Sequence, residues 1–180
     1  MSPFNYQNWR AENAAFADIA AFTDARTILK DADHVEEVGI QSVTADFMPL
    51  LGVAAWRGRL FTKEEDAPNA PTVVVLSYPS WQSWFGGRDD VIGRSIQVSS
   101  RPATIIGVMP QGFYLRNRQA ALWVPLRLEP SQDRTSYVRS LYCIARLKSG
   151  VSIDGAQTEM AAIAHRLEQA NPQFDKNWTK

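Results

Sequence analysis

The segment VIGRSIQVSSRPATIIGVMPQGF, residues 91–113, decides the fold class of this chain. Apolar and polar residues alternate from Arg94 to Val98, and a second apolar run, rich in β-branched residues, extends from Ala103 to Met109. The polar stretch Ser99–Pro102 separates the two runs, so the segment predicts a β-hairpin with one buried face. It contains no catalytic, metal-binding or phosphate-binding motif, and its specificity therefore lies in its shape.

Helices and strands are predicted on both sides of this hairpin. Upstream, the sequence predicts a helix from Ser2 to Phe22, strands at Thr23–Lys30, Val35–Val43 and Thr72–Leu76, a short helix closed by Gly52, and a helix that Ser77 caps and Gly86–Gly87 ends. Downstream, it predicts a strand in ALWVPL (121–126), a strand in which Leu141, Cys143, Ala145 and Leu147 share an apolar face, and a helix with an apolar stripe of Ile153, Ala156, Met160, Ile163 and Leu167 that ends at Asn171–Pro172. This mixture of elements is typical of an α+β fold.

The composition describes a folded globular protein without the charge pattern of a nucleic-acid-binding protein. The chain has 180 residues, of which 45% are hydrophobic and 11% aromatic, enough for a packed core. Its 19 basic and 19 acidic residues are interspersed, so we expect neither nucleic acid nor an anionic membrane surface as a partner. No apolar run approaches the ~20 residues of a membrane-spanning helix. The single cysteine excludes an internal disulfide.

A cysteine–histidine nucleophile pair is the catalytic arrangement that the residue types allow. It would need Cys143 and His165 within hydrogen-bond distance, with a third group orienting the imidazole. Cys143 lies on the predicted apolar face of its strand, where cysteine behaves as a small buried hydrophobe. His34 is the other histidine, and no ligand-like spacing of carboxylates accompanies either one, so we expect no metal site and no cofactor. We rank a hydrolase last among the functions and expect this chain not to be an enzyme.

Three acidic runs, Glu36–Glu37, Glu64–Asp66 and Asp89–Asp90, are candidates for general acid–base chemistry or calcium binding. Adjacent carboxylates are more often a solvated face. For Glu64–Asp66 the favoured interpretation is the first turn of a helix, where negative charge offsets the helix dipole. Thr62 and Glu65 have the spacing of a capping box at that turn. The sequence also lacks a P-loop, so we expect no ATP binding of that kind.

A row of aromatic residues is the remaining candidate contact surface for a ligand or partner. Trp81, Trp84 and Phe85 recur at i, i+3 and i+4 in the helix that Ser77 caps. Exposed, such a row would provide a stacking platform for a sugar, a lipid tail or another apolar ligand. The favoured interpretation is burial against the strand Thr72–Leu76 and the hairpin, because an aromatic row at helical spacing is more often part of a core.

Five segments carry a resemblance to a known family. They are DFMPLLGVAAWRGRLFTKEED (46–66), VVVLSYPSWQSWFGG (73–87), the hairpin segment (91–113), LWVPL (122–126) and ARLKSGVSIDGAQTEMAAIAHRLE (145–168). In this order they resemble the MacB-like periplasmic core domain of FtsX-type permeases of ABC transporters, most closely the orphan permeases with duplicated permease modules. The resemblance extends from Ser2 to Pro172. One departure is Ser99–Ser100 at the hairpin tip, where relatives tend to carry Asn-Gly, and this puts the turn type in question.

The resemblance implies a fold of two subdomains. A membrane-proximal α/β part is built from both chain ends, residues 1–52 and 136–180, and a mixed, β-rich part, residues 53–135, is inserted into it. The composition shift near residue 53 and the polar loop at residues 129–135 fall where such an insertion would begin and end. Both termini are therefore expected at the same end of the molecule.

The resemblance also implies a function and a location. The favoured hypothesis is a non-catalytic extracytoplasmic module, on the periplasmic side of a bacterial inner membrane, that transmits conformational change and contacts a partner or substrate during export. Its implied partners are the permease's own transmembrane helices, a separate cytoplasmic ATPase and, as a further candidate, a periplasmic adaptor. The alternative from a different class is an apolar-ligand-binding module that uses Trp81, Trp84 and Phe85.

Overall fold

The computed structural model describes residues 1–31, 34–115, 120–128 and 140–170. In chain order the elements are α1 (Pro3–Glu12), β1 (Phe16–Asp31), β2 (His34–Val43), α2 (Phe47–Leu51), β3 (Arg57–Gly58), β4 (Val73–Leu76), α3 (Tyr78–Phe85), a 3₁₀ turn (Asp89–Val91), β5 (Ser95–Val98), β6 (Arg101–Val108), β7 (Ala120–Pro125), β8 (Tyr142–Leu147) and α4 (Ile153–Ala170). The predicted α+β class is confirmed. None of the helices in these ranges is long and apolar enough to cross a membrane.

The first helix is shorter than predicted. It begins at the predicted Ser2 cap, but it ends at Glu12, and β1 starts at Phe16. Asn13 ends it, since its backbone is extended and its side-chain oxygen accepts the Phe16 N–H at 3.0 Å. The stretch Ile19–Phe22 is buried at every residue. A strand buried on both faces has a continuous apolar run, and such a run can be mistaken for part of a helix.

The predicted hairpin is confirmed as β5 and β6. Ile96 pairs with Ala103 and Val98 with Arg101, so the turn consists of Ser99 and Ser100 alone. Both serines have positive φ angles, 50° and 64°. Positive φ at both central residues is the geometry of a type I′ turn, which the right-handed twist of paired strands favours. The absence of Asn-Gly therefore does not change the turn.

The strand pairings form a closed circuit. Along the sheet the order is β2-β7-β4-β6-β5-β1-β8, and β2 also pairs with β1, so the six strands β1, β2, β7, β4, β6 and β5 close on themselves. The hairpin of β1 and β2 has ten residue pairs, from Phe22↔Val43 to Asp31↔His34. The seam between β1 and β5 has only two, Leu29↔Val98 and Lys30↔Gln97. The turn serines lie directly beside this narrow seam.

The main core consists of apolar side chains from these strands and from α3. Its fully buried members include Leu29, Val74, Leu76, Ile105 and Leu122. The first and last of these belong to β1 and β7, and the others to β4 and β6. The apolar positions that alternate along these strands therefore face the interior of the closed sheet and form its core.

The chain divides into two compact units, Met1–Ala21 with Pro130–Lys180, and Phe22–Glu129. The first boundary therefore lies upstream of the one predicted at residue 52, because β1 and β2 pair with each other and β2 pairs with β7. The segment 52–59, near that predicted boundary, lies inside the second unit, where β3 pairs with β6. The predicted boundary at residue 135 falls outside the described residues.

The first unit contains α1, the start of β1, β8 and α4. Met160, Ile163 and Leu167 of α4 pack with side chains of α1 and β1, namely Phe4, Trp9 and Phe16. The stripe predicted for α4 is confirmed except at Ile153, which is 75% exposed because it is the first residue of the helix. The predicted helix end at Asn171–Pro172 lies beyond the described residues.

Candidate functional site

The helix α3 positions the predicted aromatic row. Ser77 is its N-cap and accepts a hydrogen bond from the Ser80 N–H at 3.2 Å, and a proline occupies its first turn. Gly86 ends it with a φ of 61°, a left-handed conformation that glycine adopts without steric cost. The local sequence therefore fixes both ends of the helix, as predicted.

Two members of the row are buried in the core. Trp81 is 4% exposed, and its Nε1 donates a hydrogen bond to the Arg88 carbonyl at 2.8 Å. Phe85 is 6% exposed, and the Arg94 guanidinium lies over its ring at 5.3 Å from the ring centre. The prediction of burial is confirmed for both residues, and neither presents its ring to a ligand.

Trp84 is half-buried and lines a surface groove of about 380 Å³. One side of the groove is formed by α3 and β7, and the other by β1 and β2; its lining residues are Arg26, Glu36, Glu37, Val38, Gly39, Ser83, Trp84 and Ala121. The His34 ring lies 5.4 Å from the Trp84 ring, centre to centre. The groove is the place where one member of the predicted row remains accessible.

Three charged side chains line the groove, and two of them form an ion pair. Arg26 and Glu37 form a two-point ion pair with nitrogen–oxygen distances of 3.1 and 3.2 Å. Hydrogen bonding with Arg26 lowers the pKa of Glu37, and the same bond raises the pKa of Arg26. Both side chains are more than half exposed, and exposed ion pairs of this kind contribute little to stability. Glu36 is also exposed, and it has no ion-pair partner among the described residues.

The acidic run Glu64–Asp66 has structural partners. The predicted reciprocal bonds form, with the Thr62 N–H donating to Glu65 at 2.9 Å and the Glu65 N–H to Thr62 at 3.4 Å. The predicted helix is wrong, because the segment forms turns, and Pro68 has no N–H with which to continue a helix. Glu65 also receives both ends of the Arg59 guanidinium, at 2.7 and 2.8 Å, and this hydrogen bonding lowers the pKa of Glu65.

Asp66 holds three parts of the second unit together, a role that the sequence did not indicate. Its two carboxylate oxygens accept the Ala45 N–H at 2.9 Å and the Arg127 N–H at 2.8 Å. These donors lie two residues after the ends of β2 and β7, whereas Asp66 belongs to the loop between β3 and β4. Burial raises the pKa of Asp66 and outweighs the backbone hydrogen bonds, which lower it. Arg127 has a positive φ of 53°, and arginine is not a residue type that predicts this conformation from sequence.

The structure does not bring Cys143 and His165 together as a catalytic pair. Cys143 lies beside the Met1 sulfur, 3.5 Å away, and burial raises the pKa of its thiol to about 11. His165 is exposed on α4 and bonds Gln169 at 2.9 Å. The apolar face predicted around Cys143 is incomplete, because Ala145 is exposed on this outermost strand of the sheet. A thiol with so high a pKa is protonated near neutral pH and is a poor nucleophile.

The remaining acidic run, Asp89–Asp90, forms ion pairs with arginines. Asp89 pairs with Arg57 at 3.0 Å, and Asp90 pairs with Arg88. In the described ranges, no group of three or more histidine, cysteine or acidic side chains is arranged to hold a metal ion.

Comparison with known proteins identifies the family. The model of the MacB-like periplasmic core domain matches residues 1–163, which is nearly the whole chain. The chain belongs to the MacB-like periplasmic core domain family. The family description is that of a periplasmic part of a transporter and not of a catalytic domain.

Curated relatives of this MacB-like domain are much longer proteins. The macrolide export ATP-binding/permease protein MacB 2 of Aeromonas hydrophila is 32% identical over 126 residues, and MacB 1 of Yersinia pestis is 26% identical over 127. In both comparisons the match covers 69% of this chain, which spans only 19% of the relative's length.

Solved structures confirm the fold of the MacB-like domain. The periplasmic region of MacB from Actinobacillus actinomycetemcomitans has a TM-score of 0.72 at 16% identity, covering 97% of this chain and 76% of that one. The extracellular domain of the noncanonic ABC-type transporter YknZ from Gram-positive bacteria has a TM-score of 0.70 at 14% identity, covering 96% and 84%. At these identities the likeness concerns the fold alone.

Proposed function

We propose that this MacB-like domain is a non-catalytic extracytoplasmic module of an ABC-type permease that transmits conformational change during export. The observation that carries the proposal is the way the second unit is inserted. Its first residue, Phe22, and the last residue of β7, Pro125, pair with Val43 from opposite sides. The start of the unit and the end of its last strand are therefore separated by one strand. An inserted body held at two adjacent points can rotate as a whole relative to the unit that carries the chain ends.

The proposed partners follow from the family and from the insertion. The first unit, which holds residues 1–21 and the last described helix, would connect to the permease's own transmembrane helices. The energy would come from ATP, since relatives are named as ATP-binding/permease proteins. The proposed source is a separate cytoplasmic ATPase, because this chain resembles the orphan permeases and its sequence has no P-loop. A periplasmic adaptor is a further candidate partner. We place the domain on the extracytoplasmic side of the bacterial inner membrane.

The test measures movement between the two units in the complete permease with its ATPase. Spin labels are placed at two exposed positions, Gln157 in the first unit and Arg101 in the second, after Cys143 and any other cysteine of the permease are replaced by serine. Pulsed electron paramagnetic resonance then compares the nucleotide-free and the ATP-trapped states. If the domain transmits movement, the distance distribution shifts between these states.

A label pair within one unit provides the control. Gln82 and Arg101 are both exposed and both belong to the second unit, so their distance should be the same in the two states. An unchanged distribution for Gln157 and Arg101, in a permease that hydrolyses ATP and transports, would contradict the proposal and favour a static docking surface.

A further inference from the structure

Chain from near both ends of the second unit meets at one short segment, residues 43–47. Phe22, the first residue of the unit, pairs with Val43, and its ring packs edge-on against the Phe47 ring, 5.3 Å away between ring centres. Near the other end of the unit, the Leu126 N–H donates to the Val43 carbonyl at 2.9 Å. The segment 43–47 is therefore the place where the start and the end of the unit are joined.

The Asp66 carboxylate strengthens this junction. One of its oxygens accepts the N–H of Ala45, which lies in the segment, and the other accepts the N–H of Arg127, which follows Leu126. Hydrogen bonds to a carboxylate are stronger than those between neutral groups. Ala45 is buried and Asp66 is half-buried, so water has little access to these bonds. We call Ala45, Asp66 and Arg127 the Asp66 clamp.

The Arg127 backbone is held in a conformation that arginine seldom adopts. Its φ is 53°, and a non-glycine residue keeps such a conformation only where its surroundings impose it. Its Nη2 donates to the Pro71 carbonyl at 2.7 Å, and its Nε and Nη1 lie 3.4 Å from the Glu65 carbonyl and 3.5 Å from the Thr72 hydroxyl. Arg127 is thus bound to the segment 65–72 by both its main chain and its side chain.

The segment 65–72 is in turn bonded to the centre of the sheet. The Thr72 carbonyl accepts the Thr104 N–H of β6 at 2.9 Å. The next residue, Val73, begins β4, which has β6 and β7 as its neighbours. A force that acts on Arg127 therefore reaches β4 and β6 through hydrogen bonds as well as β7 through the chain. Hydrogen-bond networks that join rigid elements in this way carry coupling between distant parts of a protein.

We propose that the Asp66 clamp makes the second unit move as one rigid lever, because it fastens the chain at Arg127 to the segment on which Phe22 is packed. Without the clamp, the chain around Arg127 yields before the strand circuit turns, and movement is absorbed at the base of the unit. This inference rests on the proposed function, since a clamp of this kind has a task only if the second unit moves.

The first measurement tests whether Asp66 holds the two N–H groups. Amide hydrogen exchange by NMR compares the 180-residue chain with its Asp66→Asn variant, in which one acceptor oxygen is replaced by an NH₂ group. Exchange at Ala45 or Arg127 should become faster by at least about fivefold, the lower end of the cost of a buried N–H without an acceptor. The amides of β4 and β6 should change much less. Glu64→Gln removes a neighbouring exposed acid and should leave both clamp amides unchanged.

The second measurement tests transmission in the complete permease with its ATPase. The labels at Gln157 and Arg101 are compared again in the nucleotide-free and the ATP-trapped states, now with Asp66→Asn. The shift in distance should be lost, while ATP hydrolysis continues. Val91→Ala is the matched control, because it destabilises the core of the same unit without touching the clamp, and it should keep the shift.

The outcomes separate this proposal from the proposed function. A wild-type permease without a shift contradicts the movement itself and the clamp with it, whereas a shift that persists in Asp66→Asn contradicts the clamp alone. Unchanged exchange at both Ala45 and Arg127 would show that the carboxylate does not hold the junction. Loss of the shift in Val91→Ala would show that general destabilisation, and not the clamp, is the cause.

Discussion

Ser99 and Ser100 form the hairpin turn and also lie at the narrowest seam of the sheet. The Ser99 N–H bonds the Ile28 carbonyl, and its hydroxyl contacts that of Thr27, which is buried. Ser99 thus ties the hairpin tip to β1 beside a seam that has two residue pairs. The Ser99 hydroxyl therefore links the turn to β1.

Ser100 has no such bond to the residues that the structure describes, and its left-handed backbone makes it a site for stabilisation. We expect Ser100→Gly to raise the free energy of unfolding by about 0.5–1 kcal/mol, because glycine adopts a φ of 64° without the steric cost of a Cβ. Urea denaturation measures the change. Ser100→Ala retains the Cβ and is the control; if it stabilises the chain equally, backbone strain is not the cause.

The contacts of Asp66 predict its contribution to stability. Its carboxylate accepts two N–H groups from chain segments that follow different strands, and Asn in its place would offer only one acceptor oxygen. We expect Asp66→Asn to lower the free energy of unfolding by about 1–3 kcal/mol, the cost of leaving one partly buried N–H without an acceptor. Denaturation of the wild-type chain and the variant measures it, with Glu36→Gln as a control for loss of an acidic charge.

The pH dependence of this difference has a defined sign. Burial raises the pKa of Asp66 in the folded chain above the ordinary value of 3.8. Protonation of Asp66 therefore favours the folded chain, and this protonation-linked contribution to stability is fully present below about pH 3.8 and is lost as the pH rises through the folded-state pKa. The stability difference between wild type and Asp66→Asn should shrink over that range. A difference that grows with pH would mean that the N–H donors, and not burial, dominate the titration.

At the scale of elements, α3 shows how spacing and burial combine. Trp81 and Phe85 point into the core, whereas Trp84 lies at the margin of the same helix face and reaches the groove. The i, i+3, i+4 spacing identified an apolar face from sequence, but it did not indicate which of three aromatic residues lies at the margin. That depends on how closely β2 and β7 approach the helix, which is a property of the folded sheet.

The two tryptophans of α3 should differ in their effect on stability. We expect Trp81→Ala to cost about 3–5 kcal/mol, as is typical of large aromatic residues removed from a core, and Trp84→Ala to cost less, because its side chain is only partly buried. Thermal and urea denaturation measure both variants. Equal losses would show that Trp84 is as important to packing as Trp81 and would weaken its interpretation as a groove residue.

The predictions from sequence succeeded where a local signal fixed the backbone. The caps Ser2 and Ser77, the closing residues Gly52 and Gly86 and the β5–β6 hairpin all lie where the sequence placed them. The end of α1 was missed, because the buried start of β1 has an apolar spacing that also fits a helix. The Asp66 clamp was missed because its partners are backbone groups distant in sequence, and no residue type marks them.

At the scale of the whole molecule, the division into units depends on strand pairing and not on composition. The composition shift near residue 53 is real, but it marks the loop between α2 and β4, well inside the second unit. The long β1 strand crosses the boundary between the two units without a change in residue type. No glycine or proline lies at the crossing, between residues 21 and 22. The second half of β1 belongs to the second unit because it pairs with β2 and β5.

The pairing of Phe22 and Pro125 with opposite sides of Val43 has a consequence for how such permeases can diversify. Neighbouring strands are about 4.8 Å apart, so Phe22, where the inserted unit begins, and Pro125, where its last strand ends, are separated by only about 10 Å. A linker of about four residues would span that gap. A gene segment that encodes this unit could therefore be transplanted between permeases, enlarged or excised by recombination at two sites, while the carrier unit needs only a short splice to remain continuous.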